Sequence, residues 1–184
     1  MDFFAIGREM SNRSVCIVAT IALLLGSYVY IAFRPTDLLM FQVFDFLGMT
    51  NRIQEVRSFG SPYRGFIPNW FIFCAPNGLW MLSYMALSAL VWNRQMSLAA
   101  FIWGIVLLAG SILSEFLQLL KLLPGTFDVY DLVAYAVGAF LGSCLGFLGG
   151  KYGKAQAKYF VIFIARVLRF NWLWKWENQS RGKL

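Results

Sequence analysis

The chain has no histidine. That removes imidazole acid–base chemistry, His-paired serine or cysteine nucleophiles, histidine metal sites and histidine ligation of haem or chlorophyll. Charge is scarce as well. Only 14% of the 184 residues are Asp, Glu, Lys or Arg, where a soluble domain carries roughly a quarter. No long polar stretch is left to form a separate soluble domain. Cysteine is thin, and Cys16, Cys74 and Cys144 fall in three different apolar runs. Their spacing fits no zinc or iron–sulfur pattern, and disulfide frameworks belong to small, loop-rich secreted chains. The thiols read as small buried fillers. Neither a metal nor a cofactor is expected.

What is abundant is apolar: 59% of the residues are hydrophobic. They gather in runs over 15–33, 70–92, 98–120 and 129–149, each close to the ~20 residues that cross a bilayer core. The expected fold is all-α, a polytopic membrane bundle of four transmembrane helices forming one membrane domain over 1–184. Arg8 and Arg13 precede the first run, as in a secretory signal. Its length, its bulky Tyr28, Tyr30 and Phe33, and the lack of a small-residue cleavage site favour an uncleaved span.

The 16 Lys and Arg residues set the expected orientation. With both termini inside, eleven lie on the cytoplasmic side and five outside, the latter being Arg34, Arg52, Arg57, Arg64 and Lys121. The positive-inside rule favours that arrangement, although the four arginines of the first loop argue against it. The turn 93–97 is then cytoplasmic, and the loops 34–69 and 121–128 face outward.

Between spans one and two, Pro35, Thr36 and Asp37 form a helix start signal, and Gly48 is a stop. A second short helix is expected from Thr50, with Met49, Ile53, Val56 and Phe59 on one face. Such outer-loop helices are too short to span and would lie in the interface or fold over the bundle. Span one carries Ala22 and Gly26 four apart. Span two contains Pro76, Asn77 and Gly78, read either as a packed kink or as an opened helix that lends backbone oxygens to a site. Span four carries Ala134, Gly138, Gly142, Gly146 and Gly150 four apart, a ridge of small residues that admits a close neighbour helix. Packing within the chain is the default. After it, Lys151, Lys154, Lys158, Arg166 and Arg169 form one stripe of a helix over about 151–176, flanked by Phe, Tyr and Trp. That pattern predicts an in-plane amphipathic helix whose basic side chains meet anionic phospholipid head groups, each contributing about 1 kcal/mol. The aromatic density argues against nucleic acid as the partner.

The chemistry points to one place. Glu115 and Gln118 lie three apart near the end of span three, and Asp128 and Asp131 three apart at the start of span four. Carboxylates at membrane depth are costly and mark functional sites. Glu115 lies about 7–8 Å below its helix end at ~1.5 Å per residue. The short turn between the spans makes them antiparallel neighbours, so all four side chains can converge on one outward pocket. Asp128 and Asp131 also have capping-box spacing, with Asp128 as a plain helix cap. No span-borne Lys or Arg is placed by sequence to pair with Glu115, which is expected to be protonated or hydrogen-bonded to a polar neighbour.

The segment Ser114-Glu115-Phe116-Leu117-Gln118, then Thr126-Phe127-Asp128-Val129-Tyr130-Asp131, then Gly138 and Gly142, resembles the VanZ-like family, named for a teicoplanin-resistance membrane protein. Asn69, Phe73, Pro76 and Gly78 are similar to that family's Asn-to-Phe-Pro-Gly stretch, with spacing looser by one residue. The resemblance covers roughly 69–146. It departs at Gly125, where the family carries Arg in the outer turn, and at Tyr135, where it carries Asn. It implies a bacterial cytoplasmic-membrane protein of about four spans linked to antibiotic resistance.

Three functions follow as expectations. The first is an outer-side pocket of Glu115, Gln118, Asp128 and Asp131 that binds an amphipathic or lipid-linked ligand, with the aromatic loop holding its apolar part. The second is a non-catalytic accessory subunit packed by its glycine ridge into a larger membrane complex. The third is an enzyme or proton-coupled carrier using Glu115 and Asp131. It has the least support, because there is no nucleophile elbow, metal set or phosphate loop, and no catalytic residue is assigned.

Overall fold

A computed structural model describes residues 10–123 and 125–148. The basic stripe Lys151, Lys154, Lys158, Arg166 and Arg169, with Gly150 and the expected tail helix, lies outside the described residues. The elements in order are α1 (Asn12–Phe33), short α2 (Leu39–Phe46) and α3 (Thr50–Gly60), a 3-10 turn (Ser61–Phe66), then α4 (Asn69–Val91), α5 (Leu98–Leu119) and α6 (Val129–Ser143). One π turn, Cys144–Leu148, prolongs α6. No strand occurs among the described residues. Four helices are long and apolar enough to cross a membrane: α1, α4, α5, and α6 with its extension. Ile21, Leu24, Trp103, Val106, Val133 and Phe140 on them are exposed. An apolar surface of that extent fits contact with lipid.

The helices begin where capping residues stand. Ser11 accepts from the Ser14 N–H at 3.1 Å, and Ser97 from the Ala100 N–H at 3.1 Å. The start signal before α2 acts differently from expectation. Asp37 caps nothing, and α2 begins only at Leu39. Thr50 opens α3 as expected and donates its hydroxyl to Asp45. Of the apolar face drawn for α3, Ile53 is buried and Val56 packs on the α1 cluster, whereas Phe59 is 75% exposed. The buried corner is Gly60, where a Cβ would stand 2.8 Å from that of Ala32.

α4 is the central helix, with α1 and α6 packed along it and α5 bordering α4 and α6 less closely. The α1 seam is Val15, Ala19, Ala22, Gly26 and Val29, small residues three or four apart. Trp80 of α4 covers Gly26 and donates its indole N–H to Ser27 at 3.2 Å. The α6 ridge packs on α4 as well. A Cβ on Gly138 would collide with the Gly78 carbonyl oxygen, one on Gly142 with the Leu82 carbonyl, and one on Gly146 with the Ala89 side chain. The short turn does make α5 and α6 neighbours, yet the glycines direct α6 to α4 first. Pro76 stays inside an unbroken α4, although its missing N–H leaves the Ile72 carbonyl without the usual donor.

Two arginines tie the ends of the bundle. Arg94, in the turn after α4, is buried and donates to the carbonyls of Met10, Leu145 (3.1 Å) and Gly146 (2.7 Å). The start of α1, the end of the α6 extension and the turn 93–97 therefore share one end. At the other end Arg57 of α3 donates to Ile31 O (2.9 Å) and Arg34 O (2.7 Å), closing the last turn of α1. Cations suit such C-termini because the last carbonyls are unmatched and carry partial negative charge.

Candidate functional site

At the α3 end of the bundle, the last turn of α5 and the first turns of α4 and α6 meet beside the end of α1. Glu115 is only 3% exposed. Its Oε2 accepts from the Asp128 backbone N–H at 3.4 Å, a long bond. Asp128 caps α6, its Oδ1 accepting from the Tyr130 N–H at 2.8 Å. In a reciprocal capping box, the side chain at Asp131 would reach back to the Asp128 N–H. Here Glu115 takes that donor from a different helix. The Asp131 carboxylate is thereby released from capping. It lies within hydrogen-bond reach of the Cys74 thiol, a weak donor, and its Oδ1 is buried with no further partner among the described residues.

A guanidinium also belongs to this site. Arg34, at the end of α1, donates to the Phe73 carbonyl at 2.6 Å and lies 4.9 Å over the Phe73 ring and 5.5 Å over the Tyr30 ring. So α4 does lend a backbone oxygen in the turn before Pro76, without opening. The charge of Arg34 acts on Glu115, Cys74 and Tyr135, and that of Asp131 acts on the same three groups. No salt bridge joins Arg34 to Glu115, Asp128 or Asp131. The Arg34 Nε is buried and has no partner among the described residues. Among the described residues no cation pairs with Glu115, as the sequence led one to expect, and the Arg34 charge acts on it only through space. The cation comes from the far end of span one, which the linear distance conceals.

Gln118 is placed differently from its partners in the sequence pattern. A Cβ on Gly125 would stand 2.6 Å from Gln118 Oε1, so the amide lies under the turn. Gly125 has φ +134°, a conformation open chiefly to glycine. An Arg there would require another backbone. Three residues were missed at the sequence level. Arg34 was weighed only as a topological charge, Cys74 only as filler, and Tyr135 only as a departure from a pattern. Cys74 and Asp131 lie on different helices with no spacing relation, so no periodicity could have paired them. A lone Arg closing an apolar, aromatic run was the one usable signal, because guanidinium stacks on aromatic faces.

Three carboxylates thus share one end with the Arg34 guanidinium, the Cys74 thiol and the Tyr135 phenol. Among the described residues no three His, Cys, Asp or Glu side chains are grouped so as to hold a metal ion. The orphan Asp131 oxygen can accept a hydrogen bond and the orphan Arg34 N–H can donate one. If Asp128 is only a cap, Asp128→Ala should lower stability by about 1 kcal/mol and Asp128→Asn by much less. Thermal unfolding in detergent measures both, and a loss several times larger for Asp128→Asn would give Asp128 a further role.

Fold and site together define an all-helical bundle with four membrane-length helices and a polar niche at one end, compatible with a multi-pass membrane protein. Compared with protein-family models, curated proteins and solved structures, the chain matches none.

Proposed function

We propose that the protein is an integral membrane protein that binds the polar head of an amphipathic or lipid-linked molecule in the niche of Glu115, Asp131, Cys74 and Arg34. One observation carries this reading: Glu115 relieves Asp131 of its capping role and leaves a buried carboxylate oxygen unmatched. A buried polar atom without a partner costs about 1–3 kcal/mol, so its retention at the mouth of an apolar bundle favours a ligand that supplies the donor. The basic residues before the first span and after the fourth favour a niche on the outer side and both termini in the cytoplasm. The basic tail from Lys151 to Arg169 would then lie on anionic inner-leaflet lipid. The VanZ-like resemblance supports a bacterial cytoplasmic membrane and a link to antibiotic resistance. The accessory-subunit reading has less to draw on, because Gly138, Gly142 and Gly146 are covered by α4, and another protein would have to use the exposed face of α5.

The test is lipid retention. Wild-type protein extracted in mild detergent should keep a polar-headed amphiphile through repeated washing, detected by mass spectrometry. Glu115→Gln and Asp131→Asn, which preserve shape, should each lose at least about tenfold of it, since a lost charge-assisted hydrogen bond is worth about 1.5–3 kcal/mol. Undiminished retention in both variants would contradict the reading.

A further inference from the structure

The niche holds two orphan atoms of opposite kind. Among the described residues, Asp131 Oδ1 is an acceptor with no donor and Arg34 Nε a donor with no acceptor. They do not satisfy each other, and the packing explains why. The Arg34 guanidinium is held by the Phe73 carbonyl and by the Tyr30 and Phe73 rings. Its own carbonyl is held by Arg57, so the side chain is anchored at both ends on the α1–α4 side. Asp131 is fixed on the first turn of α6, its N–H bonded to Asp128 O at 3.2 Å. Arg34 is held at Phe73, and Asp131 lies beside Cys74, the next residue of α4. A ligand with one charge would satisfy one orphan and leave the other.

We infer that the niche recognises a zwitterionic head group: a primary ammonium on Asp131 and Glu115, joined within one molecule to a phosphate on Arg34. The inference rests on the head-group reading above and adds the class of ligand. An ammonium brings three donors, enough for the free Asp131 oxygen and for Glu115, whose bond to Asp128 is long. A phosphate oxygen accepts well from a guanidinium N–H. Arg34 offers an anion its free Nε–H, but an anion alone leaves the Asp131 oxygen without a donor. A quaternary ammonium carries the charge and lacks the N–H donors that an orphan oxygen needs. An ethanolamine phospholipid has both features and an apolar anchor suited to a bundle in lipid.

The experiment uses the full chain, stripped of lipid in mild detergent, with bound lipid counted by native mass spectrometry. The probes share acyl chains and differ in head group: phosphatidylethanolamine, phosphatidylcholine and phosphatidylglycerol. Phosphatidylethanolamine should bind at least tenfold more tightly than either of the others. Asp131→Asn should abolish its advantage over phosphatidylglycerol. Arg34→Lys, which keeps the charge and loses the Nε–H, should weaken phosphatidylethanolamine several-fold in protein that still elutes as the wild type does. If all three lipids bind wild type equally, the inference is overturned. If phosphatidylglycerol binds as well as phosphatidylethanolamine and loses affinity in Glu115→Gln, the ammonium assignment falls while the head-group reading stands. If no lipid responds to Glu115→Gln or Asp131→Asn, both fall. Displacement by soluble glycerophosphoethanolamine at the lipid's own concentration would overturn a membrane lipid as the ligand.

Discussion

Gly138→Val is expected to abolish the folded protein. A Cβ at this position would overlap the Gly78 carbonyl oxygen and approach the Gly78 carbonyl carbon and Cα at 3.0 and 3.1 Å. All three are backbone atoms of the central helix, so no rotamer change can relieve the clash. α4 and α6 would have to separate, and Gly142 and Gly146 lie on the same ridge, each in close contact with α4. Overpacking with a movable neighbour costs about 1–3 kcal/mol. With backbone on both sides the cost should exceed that range and consume much of a total stability of about 5–15 kcal/mol. Gly110 supplies the control. A Cβ there meets nothing within 4 Å, so Gly110→Val should elute as wild type does. Size-exclusion profiles of tagged protein in detergent report both variants, and a normal Gly138→Val profile would refute the α4–α6 contact.

The second large effect is expected at Arg94. It is buried, and both it and Asn93 have positive φ, 58° and 51°. Asn tolerates that region and Arg gains nothing from it, so its side chain explains its presence. Its donors reach carbonyls from the start of α1 and the end of the α6 extension. Truncation would leave those oxygens unmatched at about 1–3 kcal/mol each. Arg94→Ala should therefore lower stability by roughly 3 kcal/mol or more. Arg94→Lys should recover only part, since an ammonium lacks the planar fork. Arg94→Gly separates backbone from side chain. It relieves the positive φ, worth about 1 kcal/mol, and should still be less stable than wild type. Unfolding midpoints order the series, and an Arg94→Gly variant as stable as wild type would mean that the clamp contributes nothing.

These two effects show what was legible in the sequence. The four long helices were readable because ~20-residue apolar runs have few alternatives to spanning lipid. The glycine ridge was readable as a packing surface, since spacing of four marks one helix face. Its partner α4 was not, because small residues on several helices look alike from sequence. Glu115, Asp128 and Asp131 stood out through their cost in an apolar setting. Their division of labour did not, because it depends on Glu115 crossing from α5 to the Asp128 N–H. Arg94 and Arg34 were counted as charges for topology, yet each acts through hydrogen bonds to distant carbonyls. Long-range side-chain-to-backbone contacts of this kind leave no period in a sequence.

The central claim is that Asp131 of α6 and Cys74 of α4 face one another in a shared niche. Cysteine cross-linking tests it most directly. With Cys16 and Cys144 replaced by serine, Asp131→Cys should form a disulfide with the native Cys74 under mild oxidation, because bridging requires Cα atoms within about 7 Å. Val137→Cys, on an exposed face of α6, should not. Rapid bridging of the first and none of the second is the expected result. No bridge at position 131, or equal bridging at both, would contradict the account.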